Sequence, residues 1–205
     1  EYRQDIDSLK GIAIIAVVLF HLGLLESGYL GVDIFFVING FLLVPSVCKA
    51  IDDSAFSFFN FMEKRIVRLL PLIVLASVTS LILGYFLMLP DDYENLAQTV
   101  IASNMFSENI LSLITTNYWD VQTGYKPLMH LWYVGILFEF YIILPLILML
   151  VSKIAASFKQ NKMQSMTNTI LLLTIISFVL YLAPFASSSG KFYMLPFRFF
   201  ELGIG

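Results

Sequence analysis

The chain has 205 residues, of which 59% are hydrophobic and only 13% charged, and its mean hydropathy is +0.83. Soluble domains carry about a quarter charged residues, so a water-soluble globule is excluded and a protein that crosses a bilayer several times is indicated. A formal charge of −3 gives no electrostatic support for nucleic-acid binding, and a single cysteine, Cys48, excludes an internal disulfide.

A spanning helix needs roughly 20 mostly apolar residues. The first such stretch runs from Ile6 to Leu25 and contains SLKGIAIIAVVLFHL, with Lys10 near its start and His21 near its end. Its start is basic, but no small-x-small cleavage site follows, so it reads as a retained helix and not a signal peptide. A second span covers Leu30 to Val47, with Asp33 and Asn39 inside it. Ala55 to Leu69, AFSFFNFMEKRIVRL, is aromatic early and basic late, the pattern of a helix lying in the membrane interface. Leu69 to Leu89 is a charge-free span that ends at Pro90 and the acidic run DDYE. From Asn95 to Lys126 apolar patches are interrupted by Asn104, Ser107, Glu108, Asn109 and the run TTNYWDVQTGYK. Leu131 to Val151 is a span with Glu139 close to its middle, and Thr167 to Ala186 is another. SSSGK follows, and a new apolar start at Phe192. The chain opens at Glu1 and stops at Gly205 as that segment begins, so the expectation is a chain cut at both ends.

Basic residues prefer the cytoplasmic side. Arg3 and Lys10, then Lys49, Lys64, Arg65 and Arg68, then Lys153, Lys159 and Lys162 all fall on one side if 95–126 does not cross completely. Asp91, Asp92 and Glu94 then fall on the other. The expected fold is therefore an all-α integral membrane protein, a polytopic transmembrane helix bundle with one interfacial amphipathic helix. Residues 95–126 form a re-entrant or loop segment in it, and residues 1–205 form a single transmembrane domain. Irregular backbone at membrane depth is tolerable only against protein or a wet cavity. Asn104 to His130 would be the wall of such a cavity. The alternative is an ordinary sixth crossing with one basic outer loop.

Polar groups on these helices are the candidates for chemistry. Lys10 and His21 are eleven positions apart, which at the helical repeat is about 20° from three full turns, so they share a face roughly 16 Å apart along the axis. Asp7 and Arg3 lie near the same line. His21 is either a packing histidine or a group that accepts and returns a proton near neutrality. Asp33 is either a helix-entry residue beside the N-terminal dipole or an orienter for His21 across the ESGY connection. Asn39 and Gly40 read as small or polar contacts that let helices approach. Arg65 and Arg68, at i and i+3, read by themselves as snorkelling to anionic lipid headgroups, with the phosphates of a cytosolic ligand as the rival. Glu139 must be protonated, paired with a cation, or turned to a wet cavity, with Trp132 seven residues earlier on its face. Arg198 and Glu201 have the spacing of a pair. No metal-ligand spacing, Gly-rich phosphate loop or nucleophile elbow is visible.

Taken in order, YRQDIDSLKGIAIIAVVLFH, GYLGVDIFFVINGFLL, EKRIVRLLPL, HLWYVGILFEFYIILP and LPFRFFELGIG resemble the successive motifs of the membrane-bound acyltransferase family 3. That family includes bacterial O-acetyltransferases of O-antigen, exopolysaccharide and peptidoglycan. The resemblance covers essentially the whole chain and implies the N-terminal part of a bundle of about ten helices. It implies transfer of an acyl group, usually acetyl from acetyl-CoA, to a hydroxyl of a cell-envelope polysaccharide. The family's histidine falls on His21, its basic partner on Lys10, and its RxxR pair on Arg65 and Arg68, with a role toward acyl-CoA on the cytosolic side. Two departures stand out. Asn39 occupies a position that is often Ser, and a Ser-Val-Glu-Glu-Gln run is replaced by Gly135 to Glu139.

The resulting expectation is a membrane-embedded O-acyltransferase of the bacterial cytoplasmic (inner) membrane, with its N-terminus in the cytoplasm. His21, Asp33 and Glu139 are the catalytic candidates, and Lys10, Arg65 and Arg68 the acyl-CoA-binding ones, with no metal. Its partners would be acyl-CoA, a cell-surface or lipid-linked glycan, and membrane lipid. A transporter or flippase for lipid-linked sugars or acyl donors is the rival reading, with the Lys10–His21 face as its path. A non-catalytic partner in polysaccharide assembly is the third.

Overall fold

The computed structural model describes residues 3–115, 127–184 and 186–205. Among these residues every regular element is a helix and none is a strand. Among the described residues four segments are long and apolar enough to cross a membrane by length and composition: Glu26–Asp52, Phe58–Leu87, Met129–Ser157 and Lys162–Leu182. The chain forms two compact units, each assembled from discontinuous segments.

The first unit comprises Glu1–Ala55, Ile147–Leu182 and Arg198–Gly205. Its helix α1 (Gln4–His21) is followed by a 3-10 turn at Glu26–Tyr29 and by α2 (Leu30–Asp52). The sequence suggests a helix reaching Leu25, but α1 stops at His21 because Gly23 adopts a left-handed φ of 70°. The Gly23 N–H then donates to the Phe20 carbonyl and the Leu24 N–H to the Leu19 carbonyl, a double bond pattern that closes a helix end. Ala13 is fully buried. A side chain at Gly28 or Gly31 would run into the backbone carbonyls of Ala16 and Ala13, so small residues let the two segments approach backbone to backbone.

The rest of this unit packs by the same means. The unit includes the end of α6 (Trp132–Ser157), α7 (Lys162–Leu182) and most of α9 (Leu195–Ile204). Phe36, Leu148, Met166 and Leu202 are fully buried. A Cβ on Gly40 would overlap the Leu202 carbonyl, and one on Gly203 would overlap the Thr174 side chain. The reading of Gly40 as a helix-contact residue is thereby borne out. Alongside these contacts, the Arg198 guanidinium donates to Asp33 at 2.9 Å and to Glu201 at 2.7 Å, tying α9 to α2. The backbone N–H of Phe200 donates to Ser177 Oγ at 2.9 Å.

The second unit comprises Phe56–Leu146 and Ala183–Phe197. Here the basic interfacial stretch and the span after it are one helix, α3 (Phe58–Leu87), which runs for 30 residues through Pro71. Its first three turns carry Lys64, Arg65 and Arg68, and its remainder is apolar. Pro90 opens α4 (Pro90–Asn104), with Asp91 and Asp92 at the positive end of its dipole. α4 is roughly 22 Å long, short of the roughly 30 Å hydrocarbon core. α5 (Glu108–Thr115) has only 8 residues. Phe106 separates the two with a φ of 55°. Among the described residues neither helix alone is long enough to cross. The short α8 (Ser188–Tyr193) is capped by Ser187, whose Oγ accepts from the Gly190 N–H at 3.1 Å.

Arg198 and Gly40 make the packing of the first unit testable. Replacing Arg198 with Met strands two carboxylates, and the expected cost is about 3–5 kcal/mol. The measured consequence would be a lower Tm for the detergent-solubilised protein, and an unchanged Tm would exclude Arg198 as a tie. Gly40→Leu is expected to lower Tm comparably, because its side chain meets backbone that cannot step aside.

Candidate functional site

Lys10 and His21 stand on one unbroken helix, α1, so the face they share in the sequence is kept in the fold. The Lys10 ammonium donates to Asp7 at 3.0 Å, and both side chains are partly exposed. Below it, Arg3 binds Asp5 at 2.6 Å, and that hydrogen bond draws the Asp5 carboxyl down to about 2. The cationic stripe on α1 is therefore matched by carboxylates one turn or less away. His21 is the last residue of α1 and is exposed, its ring meeting Phe20 edge-on at 5.3 Å.

Asp33 answers its two sequence readings with a third partner. It sits one turn into α2, as expected, and its carboxylate receives Arg198 from α9. Arg198 also pairs with Glu201, as the i, i+3 spacing suggests. One guanidinium thus serves two carboxylates, and Glu201 Oε2 is buried without a hydrogen-bond partner among the described residues.

In the second unit the two arginines of α3 occupy unlike settings. Arg68 is exposed. Arg65 is half-buried, with its Cζ 5.1 Å from the Phe61 ring centroid and 5.3 Å from that of Tyr141. Among the described residues neither arginine has a carboxylate within ion-pair distance. That contrasts with Arg3, Lys10 and Arg198.

Among the described residues Glu139 has no cation partner; it is held instead by a neutral amide that lies outside the motifs that drew attention in the sequence. Asn109 on α5 donates through Nδ2 to Glu139 at 2.8 Å and to the Tyr193 carbonyl at 3.1 Å. Asn109 is only 2% exposed, and a side chain at Gly135 would overlap its amide. The glycine at 135 and the carboxylate at 139 are thus linked: one leaves room for Asn109, and the other accepts its hydrogen bond. Beside Asn109, the buried Glu108 accepts from Ser112 Oγ at 3.0 and 2.8 Å. Trp132 packs against Phe192 and Tyr193, with ring centroids 4.5 and 5.9 Å away.

The helix α5 is inverted relative to a soluble amphipathic helix. Glu108, Asn109 and Ser112 are buried while Ile110 and Ile114 are exposed. Polar residues at i, i+1 and i+4 in a membrane chain carry that signal in the sequence, where they read only as interruptions of an apolar run. The proposed cavity wall from Asn104 to His130 falls partly outside the described residues, since 116–126 are not among them. Among the described residues no three His, Cys, Asp or Glu side chains gather as metal ligands.

Comparison with known proteins supplies the family. Residues 3–205 match the acyltransferase-domain family, acyltransferase family 3. A Staphylococcus aureus (strain MSSA476) protein provisionally named an O-acetyltransferase is 33% identical over 153 residues, covering 72% of this chain and 25% of that protein. A Komagataeibacter xylinus protein provisionally named membrane-bound transacylase BcsY is 34% identical over 144 residues, covering 69% of this chain and 36% of that protein. A Haemophilus influenzae protein with no function in its name is 28% identical over 183 residues, covering 84% of this chain and 71% of that protein. The chain thus spans about a quarter of the length of its S. aureus relatives. No solved structure matches it. With ordered motifs, a helical membrane architecture and a match running from residue 3 to residue 205, the chain belongs to acyltransferase family 3.

Proposed function

We propose that the protein is a membrane O-acyltransferase that moves an acyl group, acetyl in the simplest case, from cytosolic acyl-CoA to a hydroxyl of a cell-envelope glycan. The observation that carries this reading is His21 on the same face of α1 as Lys10, in a chain matched to an acyltransferase family along its length. The orientation follows basic-residue counting, with the N-terminus in the cytoplasm of a bacterial inner membrane.

In this mechanism Arg65 and Arg68 hold the phosphates of the donor, for which planar guanidiniums with several N–H donors are suited. Lys10, bonded to Asp7, is a further basic group on the His21 face of α1. His21 takes the proton of the acceptor hydroxyl as the hydroxyl oxygen attacks the thioester carbonyl carbon. The carbon–sulfur bond breaks, the CoA thiolate leaves, and His21 returns the proton to sulfur. In the two-step variant the imidazole nitrogen first receives the acyl group from CoA and then yields it to the hydroxyl. Asp33, through Arg198, fixes the start of α2 beside α9, and Glu139 with Asn109 contributes polar groups that bind the acceptor. Support for that last assignment is the inward polar face of α5, since buried polar groups in a membrane protein commonly mark substrate paths.

Replacing His21 with Ala in the full-length protein should lower glycan O-acetyl content by at least about 100-fold, the lower range of general-base contributions. Unchanged acetylation at equal membrane expression would overturn the mechanism. Purified protein supplied with acetyl-CoA and acceptor should release free CoA, whereas a carrier would not. At position 139, Gln keeps an acceptor for Asn109 and Leu removes it. Glu139→Leu should raise the KM for the acceptor more than Glu139→Gln does, and an unaltered acceptor KM in both would remove Glu139 from the acceptor site.

A further inference from the structure

Arg65 and Arg68 are one turn apart on the same helix, yet only one of them is held. A guanidinium offers two kinds of surface: its flat faces, which stack on aromatic rings, and its edge, which carries the N–H donors. Arg65 lies over Phe61 from its own helix, four residues earlier, and over Tyr141 from α6. The two rings meet each other edge-on, with centroids 6.1 Å apart and planes at 88°. Tyr141 is 5% exposed and next to the fully buried Phe140, so its ring is fixed in the core of the second unit. Arg65 Nε is buried with no hydrogen-bond partner among the described residues, and no described carboxylate pairs with the side chain. The charge is therefore held by ring faces and not by a counter-anion.

We infer that Phe61 and Tyr141 form an aromatic clamp that makes Arg65 the positioned arginine of the pair and sets the affinity for the anionic donor. The reasoning is one of compensation. A carboxylate partner would neutralise Arg65 and compete with an incoming phosphate for the same N–H edge. Aromatic faces stabilise the cation while leaving its net charge available to an anion. They also reduce the rotamer freedom that a long side chain would otherwise lose on binding, which is a standing cost of association. Arg68 is exposed and, among the described residues, stacks on no ring, so it keeps that freedom. The two arginines thus divide the work: Arg65 orients the anion and Arg68 adds charge. Phe61 and Tyr141 are positioning residues that act through Arg65, and the inference rests on the assignment of the arginine pair to the acyl-CoA phosphates.

The test measures binding of CoA alone by calorimetry, and the KM for acetyl-CoA together with kcat, on the purified full-length protein. The variants are Arg65→Ala, Arg68→Ala, Phe61→Leu, Tyr141→Leu and Tyr141→Phe. Loss of either ring should raise the CoA Kd and the donor KM by about 5- to 30-fold, the range of cation–π contributions from partly to fully desolvated sites, with kcat at saturating donor nearly unchanged. Tyr141→Phe keeps the ring and should bind CoA as the parent does. Arg65→Ala should weaken CoA binding more than Arg68→Ala. If Arg65→Ala and Arg68→Ala both leave the CoA Kd unaltered, the donor-site assignment itself fails, and the clamp with it. If the arginine variants weaken binding but neither ring variant does, the clamp alone is wrong. A Tyr141→Leu protein that loses kcat and thermal stability at constant KM would likewise assign Tyr141 a packing role only. Should that variant not fold, Phe61→Leu decides, since Phe61 is only partly buried.

Discussion

Inside a bilayer there is no water to satisfy a polar group, and each one left unmade costs several kcal/mol. That constraint organises this chain more than its hydrophobic residues do, because lipid is as apolar as the helix surfaces it touches. Many exposed large side chains, such as Leu72 at 70% and Leu87 at 79%, stand on helices that would cross the membrane and require no protein partner there. Most polar groups on these helices are bonded instead. Thr79, Thr169 and Thr174 turn their hydroxyls back to carbonyls four residues earlier, and Asn39 does the same with its amide. Asn104 reaches across to Ser77 on α3 at 2.9 Å. The charges find each other: Arg198 with Asp33 and Glu201, Lys10 with Asp7.

Once polar groups must be satisfied internally, the way helices approach becomes a matter of small residues and specific bonds. In the first unit, Gly28, Gly31 and Gly40 remove the side chains that would hold backbones apart. The Arg198 bridge then adds a contact that tolerates little displacement. In the second unit the same logic appears in Asn109, seated against Gly135 and bonded to both Glu139 and Tyr193. Buried polar networks of this kind rigidify a site when fully bonded and weaken it when one member is lost. Each candidate carboxylate, Asp33 and Glu139, is accordingly part of a bonded set and not an isolated charge in oil.

Two groups singled out in the sequence stand in other settings. Arg65 lies over two rings with no carboxylate partner among the described residues, and His21 is at an exposed helix end. Both belong to positions where the family motifs fall. In the function proposed above, the first grips anionic phosphates and the second moves a proton or carries an acyl group.

The sequence by itself determined the class, most of the long apolar spans and the family, because these depend on local quantities. Apolar run length, the 3.6-residue repeat and motif order can all be read along one strand of text. It also determined that Lys10 and His21 share a face, since both lie within one helix, and that Arg198 and Glu201 pair, since they are one turn apart. Only the tertiary structure decided the partners that are distant in the chain. Asp33 and Arg198 are 165 residues apart, and Asn109 and Glu139 are 30 apart. No periodicity within either segment points to the other. The merger of the basic interfacial stretch with its following span into α3 was likewise hidden, because composition changes at Leu69 while the backbone hydrogen bonding does not. Residue type states what a side chain must satisfy; only the packing of helices states with whom.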